Sequence, residues 1–225
     1  MKLENGSKIL FTGDSITDAG RTFNDYRNVD KNYGGGYVSM IHSLMQLDCR
    51  ERGYRIVNTG VSGNTIRHLR DRWESDVIAH APDWLSVMIG VNDTWRHFTR
   101  PEEAVGLDEY VSIYTELLER TRKSLKGLVL MTPFMAETDP PHQSDGPAGL
   151  GSLEKSAAMR ALIGGYVDAV KVLAAKYDAV LVDIQGVIDD MLGRGYDPLE
   201  LTRDKVHPIP LGCLAIARAW MKAVI

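Results

Sequence analysis

A serine stands just past a short apolar run in LFTGDSITDAGR, Leu10 to Arg21. Far downstream, LTRDKVHPIPLG carries Asp204 and His207 three residues apart. A serine hydroxyl is a weak nucleophile until a base takes its proton, and the base works best when a carboxylate holds its other nitrogen. The i, i+3 spacing lets Asp204 reach Nδ1 of His207 and leaves Nε2 for the proton of Ser15. Negative charge developing on an attacked carbonyl then needs donors. The Asn92 amide can supply one, and Gly60, lacking a Cβ, lets a backbone N–H come close. With the N–H of Ser15 itself, that makes three.

Each stretch also has an ordinary reading. Gly13-Asp14-Ser15 could be a capped strand-to-helix turn, Gly90-Val91-Asn92-Asp93 an Asx turn, and a histidine before proline a loop residue. What singles the set out is where its members stand. Five apolar runs, beginning near Leu10, Tyr54, Trp84, Gly127 and Ala179, read as short strands buried on both faces. Between them lie helical patterns: Val38, Ile41, Leu44 and Met45; the segment LDEYVSIYTELLERTRKSL; and Leu162, Tyr166, Ala169, Val170 and Leu173. Strand alternating with helix predicts an α/β fold with a five-stranded parallel sheet, right-handed crossovers and helices on both faces. Ligands of such sheets sit outside the carboxyl ends of the strands. Ser15, Gly60 and Asn92 follow the first three strands at those ends, and Asp204 and His207 precede a final amphipathic helix.

The chain has 225 residues, 44% of them hydrophobic, enough for one core, and a single domain over 1–225 is expected. The net charge of −4 comes from interleaved acids and bases with no basic run, which argues against nucleic acid. No apolar window spans a bilayer and the N-terminus lacks a signal-peptide core, so the expectation is a cytoplasmic protein without a membrane partner. Cys49 and Cys213 have no ligand or cysteine at useful spacing. They read as buried thiols, and neither metal nor organic cofactor is expected. No Gly-x-Gly-x-x-Gly or Walker loop follows a strand, which weighs against a nucleotide- or flavin-binding protein, and no Gly-x-Ser-x-Gly elbow is present.

The four blocks resemble those of the SGNH, or GDSL-type, hydrolases: Ser15 in GDS, Gly60 in NTGVSGNT, Asn92 in GVND and His207 in DKVH. The resemblance implies a flavodoxin-like three-layer sandwich and a Ser-His-Asp esterase. LFTGDSITDAGR, the long block from Val61 to Arg96, and LVLMTPFMAE are similar to the bacterial acetylxylan esterases within that family. This implies a small acetylated sugar as partner; a short-chain acyl esterase, a thioesterase or a lysophospholipase on the same residues is the alternative. On the substrate side, Asp14 and Asn64 are expected to brace the site. Trp95 and Arg96 offer a sugar an aromatic wall and a hydrogen-bonding edge, their other use being packing and a surface ion pair. His97 and His142 lack an aspartate at the Asp204 spacing. The polar loops 21–36 and 138–152 are expected to rim the pocket or to make contacts in a homo-oligomer.

Overall fold

The computed structural model describes residues 3–21, 32–139, 141–142 and 150–225. Much of the two polar loops, at 22–31, 140 and 143–149, therefore lies outside the described residues. Five strands form one sheet: β1 Lys8–Gly13, β2 Arg55–Asn58, β3 Trp84–Met88, β4 Gly127–Met131 and β5 Val180–Val182. Every pairing is parallel and the order is β2-β1-β3-β4-β5, the flavodoxin-like arrangement.

Alternate residues of each strand enter opposite layers, which is why the runs are continuously apolar. On β1, Ile9 and Phe11 pack into one cluster and Leu10 into the other. On β3, Trp84 and Met88 face the first, and Leu85 and Val87 the second. The first layer is built by α2 (Tyr37–Asp48), α8 (Ile184–Gly193) and α10 (Pro210–Val224), through Val38, Ile41, Ile188, Ile216 and Trp220. The second uses α3 (Ile66–Asp71), α4 (Trp73–Asp76), α6 (Leu107–Thr121) and most of α7 (Leu153–Lys176), through Leu69, Trp73, Tyr114, Leu117 and Val170. Full burial of each such side chain is worth roughly 1.5–3 kcal/mol. The layers change sides because the strand order reverses at β1: β2 lies to its left and β3 to its right. The crevice at that reversal is where the first and third strands deliver Ser15 and Asn92.

α10 is pinned to the sheet by the Trp220 indole, which donates to Ser86 Oγ at 3.1 Å and stacks obliquely on Phe11. At its start, Gly212 is obligatory, since a Cβ there would meet Leu201 O at 2.2 Å. That contact lets α10 approach α9 (Pro198–Leu201), and the segment between them carries Asp204 and His207.

Candidate active site

At the end of β1 the chain turns sharply into α1, Ser15–Asp18, a single helical turn. Gly13 has φ +159, and a Cβ on it would lie 2.1 Å from Met88 O, so the backbone of β1 can pass β3 here only as glycine. Asp14 caps the turn by accepting from Ile16 N–H at 3.0 Å. Ser15 thus becomes the first helical residue, at the mouth of a cavity of about 420 Å³. Ile16, Ala19, Gly35, Gly36, Ser62, Arg203, His207 and Cys213 are among the described residues that line it.

The partner segment is a tight loop closed by an antiparallel bridge between Thr202 and Pro208. Arg203 N–H donates to His207 O at 2.9 Å and Ile209 N–H to Leu201 O at 3.0 Å. Within it Asp204 Oδ1 accepts from the backbone N–H of His207 at 2.8 Å and of Val206 at 3.2 Å. Its Oδ2 meets His207 Nδ1 at 2.8 Å, and His207 Nε2 stands 2.9 Å from Ser15 Oγ. Burial pushes the Asp204 carboxyl up, but the imidazole and the two N–H donors outweigh this and hold it below its ordinary value. An ionised carboxylate thus fixes the imidazole tautomer that can accept a proton from serine.

The donors are arranged differently from the sequence expectation. Gly60 N–H is already committed, donating to Asn58 Oδ1 at 2.9 Å. Glycine is needed at 60 for another reason: a Cβ would press on Asp18 N at 2.5 Å, where the loop after β2 packs on α1. Gly63 instead occupies the third position of a turn closed by Asn64 N–H to Val61 O at 3.2 Å. It has φ +80 with open space around its Cβ position, and among the described residues its N–H has no partner. Asn92 lies in the first turn of α5, Val91–Thr99. One Nδ2 proton goes to Asn64 O at 3.0 Å, leaving the other for a ligand.

The remaining candidates have the following contacts. Asp14 is almost wholly buried. Burial pushes its carboxyl up to about 6 against the pull of Ile16 N–H, His207 and Arg72, and its described side-chain contact is the cap on Ile16 N–H. Asn64 Oδ1 accepts from Arg72 Nε at 2.6 Å, which spends its amide oxygen inside the protein. Arg96 is likewise occupied, paired with Glu103 at 2.9 Å and donating to Gly63 O at 2.7 Å. The Trp95 ring lies edge-on to His207, centroids 6.2 Å apart, so it borders the imidazole. His97 hydrogen-bonds Val105 O, and His142 does find an aspartate, Asp197 at 2.9 Å, 55 residues away.

Sequence reasoning missed the groups that hold this frame. Two guanidiniums bind the carbonyls at the strand ends: Arg21 those of Asn58 and Gly60, and Arg72 those of Gly13 and Thr59. Asp18 accepts from Ser62 N–H and Oγ at 3.0 and 2.8 Å. Asp93 accepts from Ile66 N–H at 2.9 Å, while its other oxygen is buried and has no partner among the described residues. Burial and the nearby Asp14 raise its carboxyl to about 7, against the pull of the Ile66 N–H. Because this exceeds the value of about 3.9 for an unfolded aspartate, its stabilising contribution is full below about pH 4 and is lost as pH rises through 7. Asp93→Asn should therefore flatten the fall in Tm between pH 5 and 8 and raise stability at pH 8 by up to a few kcal/mol. Thermal melts of both proteins across that range check it, and parallel curves would refute it.

A serine, an imidazole and a carboxylate stand in line at the carboxyl edge of a doubly wound sheet, an arrangement chemically able to open an ester. A model of the GDSL-like lipase/acylhydrolase family matches residues 11–213. An acetylxylan esterase of Geobacillus stearothermophilus is 39% identical over 227 residues, spanning 100% of this chain and 96% of that protein. The crystal structure of Axe2, an acetylxylan esterase from the same organism, superposes with a TM-score of 0.85 at 38% identity, over 99% of this chain and 96% of that one. Catalytic mutants of Axe2, with a serine, a histidine or an aspartate replaced by alanine, match equally well. LAE5, an alpha/beta hydrolase from the metagenome of Lake Arreo, Spain, gives a TM-score of 0.85 at 36% identity, over 98% of this chain and 96% of that one. The chain belongs to the GDSL-like lipase/acylhydrolase family and is a carboxylic ester hydrolase.

Among the described residues no helix is long and apolar enough to cross a membrane.

Proposed function

We propose that this hydrolase removes acetyl groups from small acetylated xylo-oligosaccharides through a Ser15-His207-Asp204 triad and an acetyl-serine intermediate. The observation that carries the reading is the unbroken line from Ser15 Oγ to His207 Nε2 at 2.9 Å and from Nδ1 to Asp204 Oδ2 at 2.8 Å, opening on the cavity. The Axe2 catalytic mutants change the same three residue types.

His207 Nε2 takes the hydroxyl proton as Oγ attacks the acetyl carbonyl carbon. The carbonyl oxygen becomes an oxyanion between the Ser15 N–H, the Gly63 N–H and the free Nδ2 proton of Asn92. The C–O bond to the sugar then breaks, and the imidazolium gives its proton to the leaving hydroxyl. Water, losing a proton to the same imidazole, attacks the carbonyl carbon of acetyl-serine; the bond to Oγ breaks, the imidazolium returns its proton to Oγ, and acetate leaves. Asp204 stays ionised throughout and stabilises the imidazolium.

The acyl side supports a short chain. The apolar wall among the described lining residues is Ile16, Ala19, Pro208 and Cys213. Gly36 packs closely on Ala19 in that wall, where a Cβ would come within 2.6 Å of the Ala19 Cβ. A long acyl chain would forgo about 0.8 kcal/mol for every CH₂ left in water. The purified enzyme should therefore lose kcat/KM steeply from acetyl to butyryl and longer esters and deacetylate acetylated xylobiose to completion. Preference for octanoyl over acetyl esters, or inert acetylated xylobiose, would overturn the substrate reading in favour of a short-chain acyl esterase, thioesterase or lysophospholipase on the same residues.

A further inference from the structure

Between Asp204 and His207 stands a lysine that no step of the reaction uses. The Lys205 side chain is fully buried, and its ammonium donates to Glu137 Oε2 at 2.6 Å, Ser156 Oγ at 3.1 Å and His142 O at 3.2 Å. Glu137, as deeply buried, also accepts from the N–H groups of Thr138 at 3.0 Å and His142 at 2.8 Å and from Ser156 Oγ. The Lys205 carbonyl accepts from Ala136 N–H at 2.8 Å. Three parts of the chain thus meet at one charged joint: the segment following β4, the first turns of α7, and the loop that carries the Asp204–His207 pair.

Lys205 also has φ +67, a left-handed conformation in which a side chain with a Cβ is strained. Glycine would be the relaxed choice there, so the backbone alone gives no reason for lysine. Stability gives little reason either, because a buried ion pair is often matched or bettered by apolar residues of the same size. Buried polar and ionic groups can instead select one conformation over others, as where they fix the register of packed helices; a pair placed here would select one arrangement of a loop. The loop fixed here is the one whose position sets the 2.9 Å contact between His207 and Ser15.

We propose that the buried Lys205–Glu137 pair is a positioning device for the Asp204–His207 dyad, locking the loop so that the imidazole stays in line with both Asp204 and Ser15. The proposal rests on the triad reading above. Displacements of about 1 Å cost on the order of 10²-fold in rate, so loosening the lock should act on kcat.

Lys205→Gly keeps the backbone conformation without strain and removes the ammonium, while Glu137→Gln keeps the shape and removes the charge. Each folded variant should lose on the order of tenfold or more in kcat, with KM held within about twofold. The downfield proton resonance of the His207 Nδ1–H, bonded to Asp204, should weaken or vanish in the NMR spectrum. Where either single variant fails to fold, Lys205→Met/Glu137→Leu, which leaves no charge unpaired, carries the same measurements. A lower Tm with wild-type kcat and an unchanged resonance makes the pair a structural brace only and overturns the proposal. Ser15→Ala, assayed alongside, separates the two readings. If it is active at the wild-type rate the triad itself fails; if it is inactive while the Lys205 and Glu137 variants are fully active, only the positioning role fails.

Discussion

Ser15→Ala should fold as the parent does and lose on the order of 10⁵–10⁶ in kcat against acetyl esters, because removal of the nucleophile from a triad that acts as a unit costs about as much as removal of the whole triad. Among the described residues the side chain makes a single hydrogen bond, to His207 Nε2, and its backbone position in α1 is set by the Asp14 cap and by Gly13. Little stability should therefore go with the hydroxyl. Stopped in acid during turnover, the parent should carry an acetyl group on the peptide that contains Ser15, and the variant should carry none. A variant with wild-type turnover would remove Ser15 from the chemistry. So would acetylation on any other side chain.

The sheet was legible in the sequence because strands buried on both faces leave uninterrupted apolar runs, and all five runs became strands that begin within two residues of where the runs begin. The Ser15, Asp204 and His207 contacts were legible for a related reason: once the strands are placed, only a few polar residues stand at their carboxyl ends, and an i, i+3 pair needs no tertiary knowledge. The donor after β2 shows where such reasoning fails. NTGVSGNT offers two glycines three residues apart, and freedom from a Cβ argues equally for both. What separates them is Asn58, whose side chain folds two residues forward onto Gly60 N–H. That is an Asx contact which the Asn-x-Gly spacing already suggested. No local signal announced the rest. Arg72 reaches Gly13 O across 59 residues and Lys205 reaches Glu137 across 68. For Arg96 the sequence left open a sugar contact or an ion pair, and which partners it has, Glu103 and Gly63 O, appeared only in the fold. Charged side chains in a loop look alike in sequence, whether they face solvent or tie strand ends together.

Asn92→Ala should lower kcat by about 10²–10³, equivalent to roughly 2.7–4 kcal/mol of transition-state stabilisation, with a much smaller change in KM. The reason is the placement of its amide. Asn92 is nearly buried in the first turn of α5, and the bond from its Nδ2 to Asn64 O at 3.0 Å fixes the direction of the second N–H. A donor held in this way costs no reorganisation when the carbonyl oxygen becomes an oxyanion, and its effect is largest where water is excluded. The substitution also frees Asn64 O, which could let the loop after β2 drift. Those two consequences separate in the kinetics: a lost oxyanion donor acts on kcat, whereas a displaced loop wall acts on substrate binding and so on KM. Arg72 continues to hold Asn64 Oδ1 and the carbonyls of Gly13 and Thr59 in the variant, so loop drift should be small and kcat should carry the loss. A variant with raised KM and unchanged kcat would show that Asn92 serves only to brace the loop, leaving the oxyanion to the backbone N–H groups of Ser15 and Gly63.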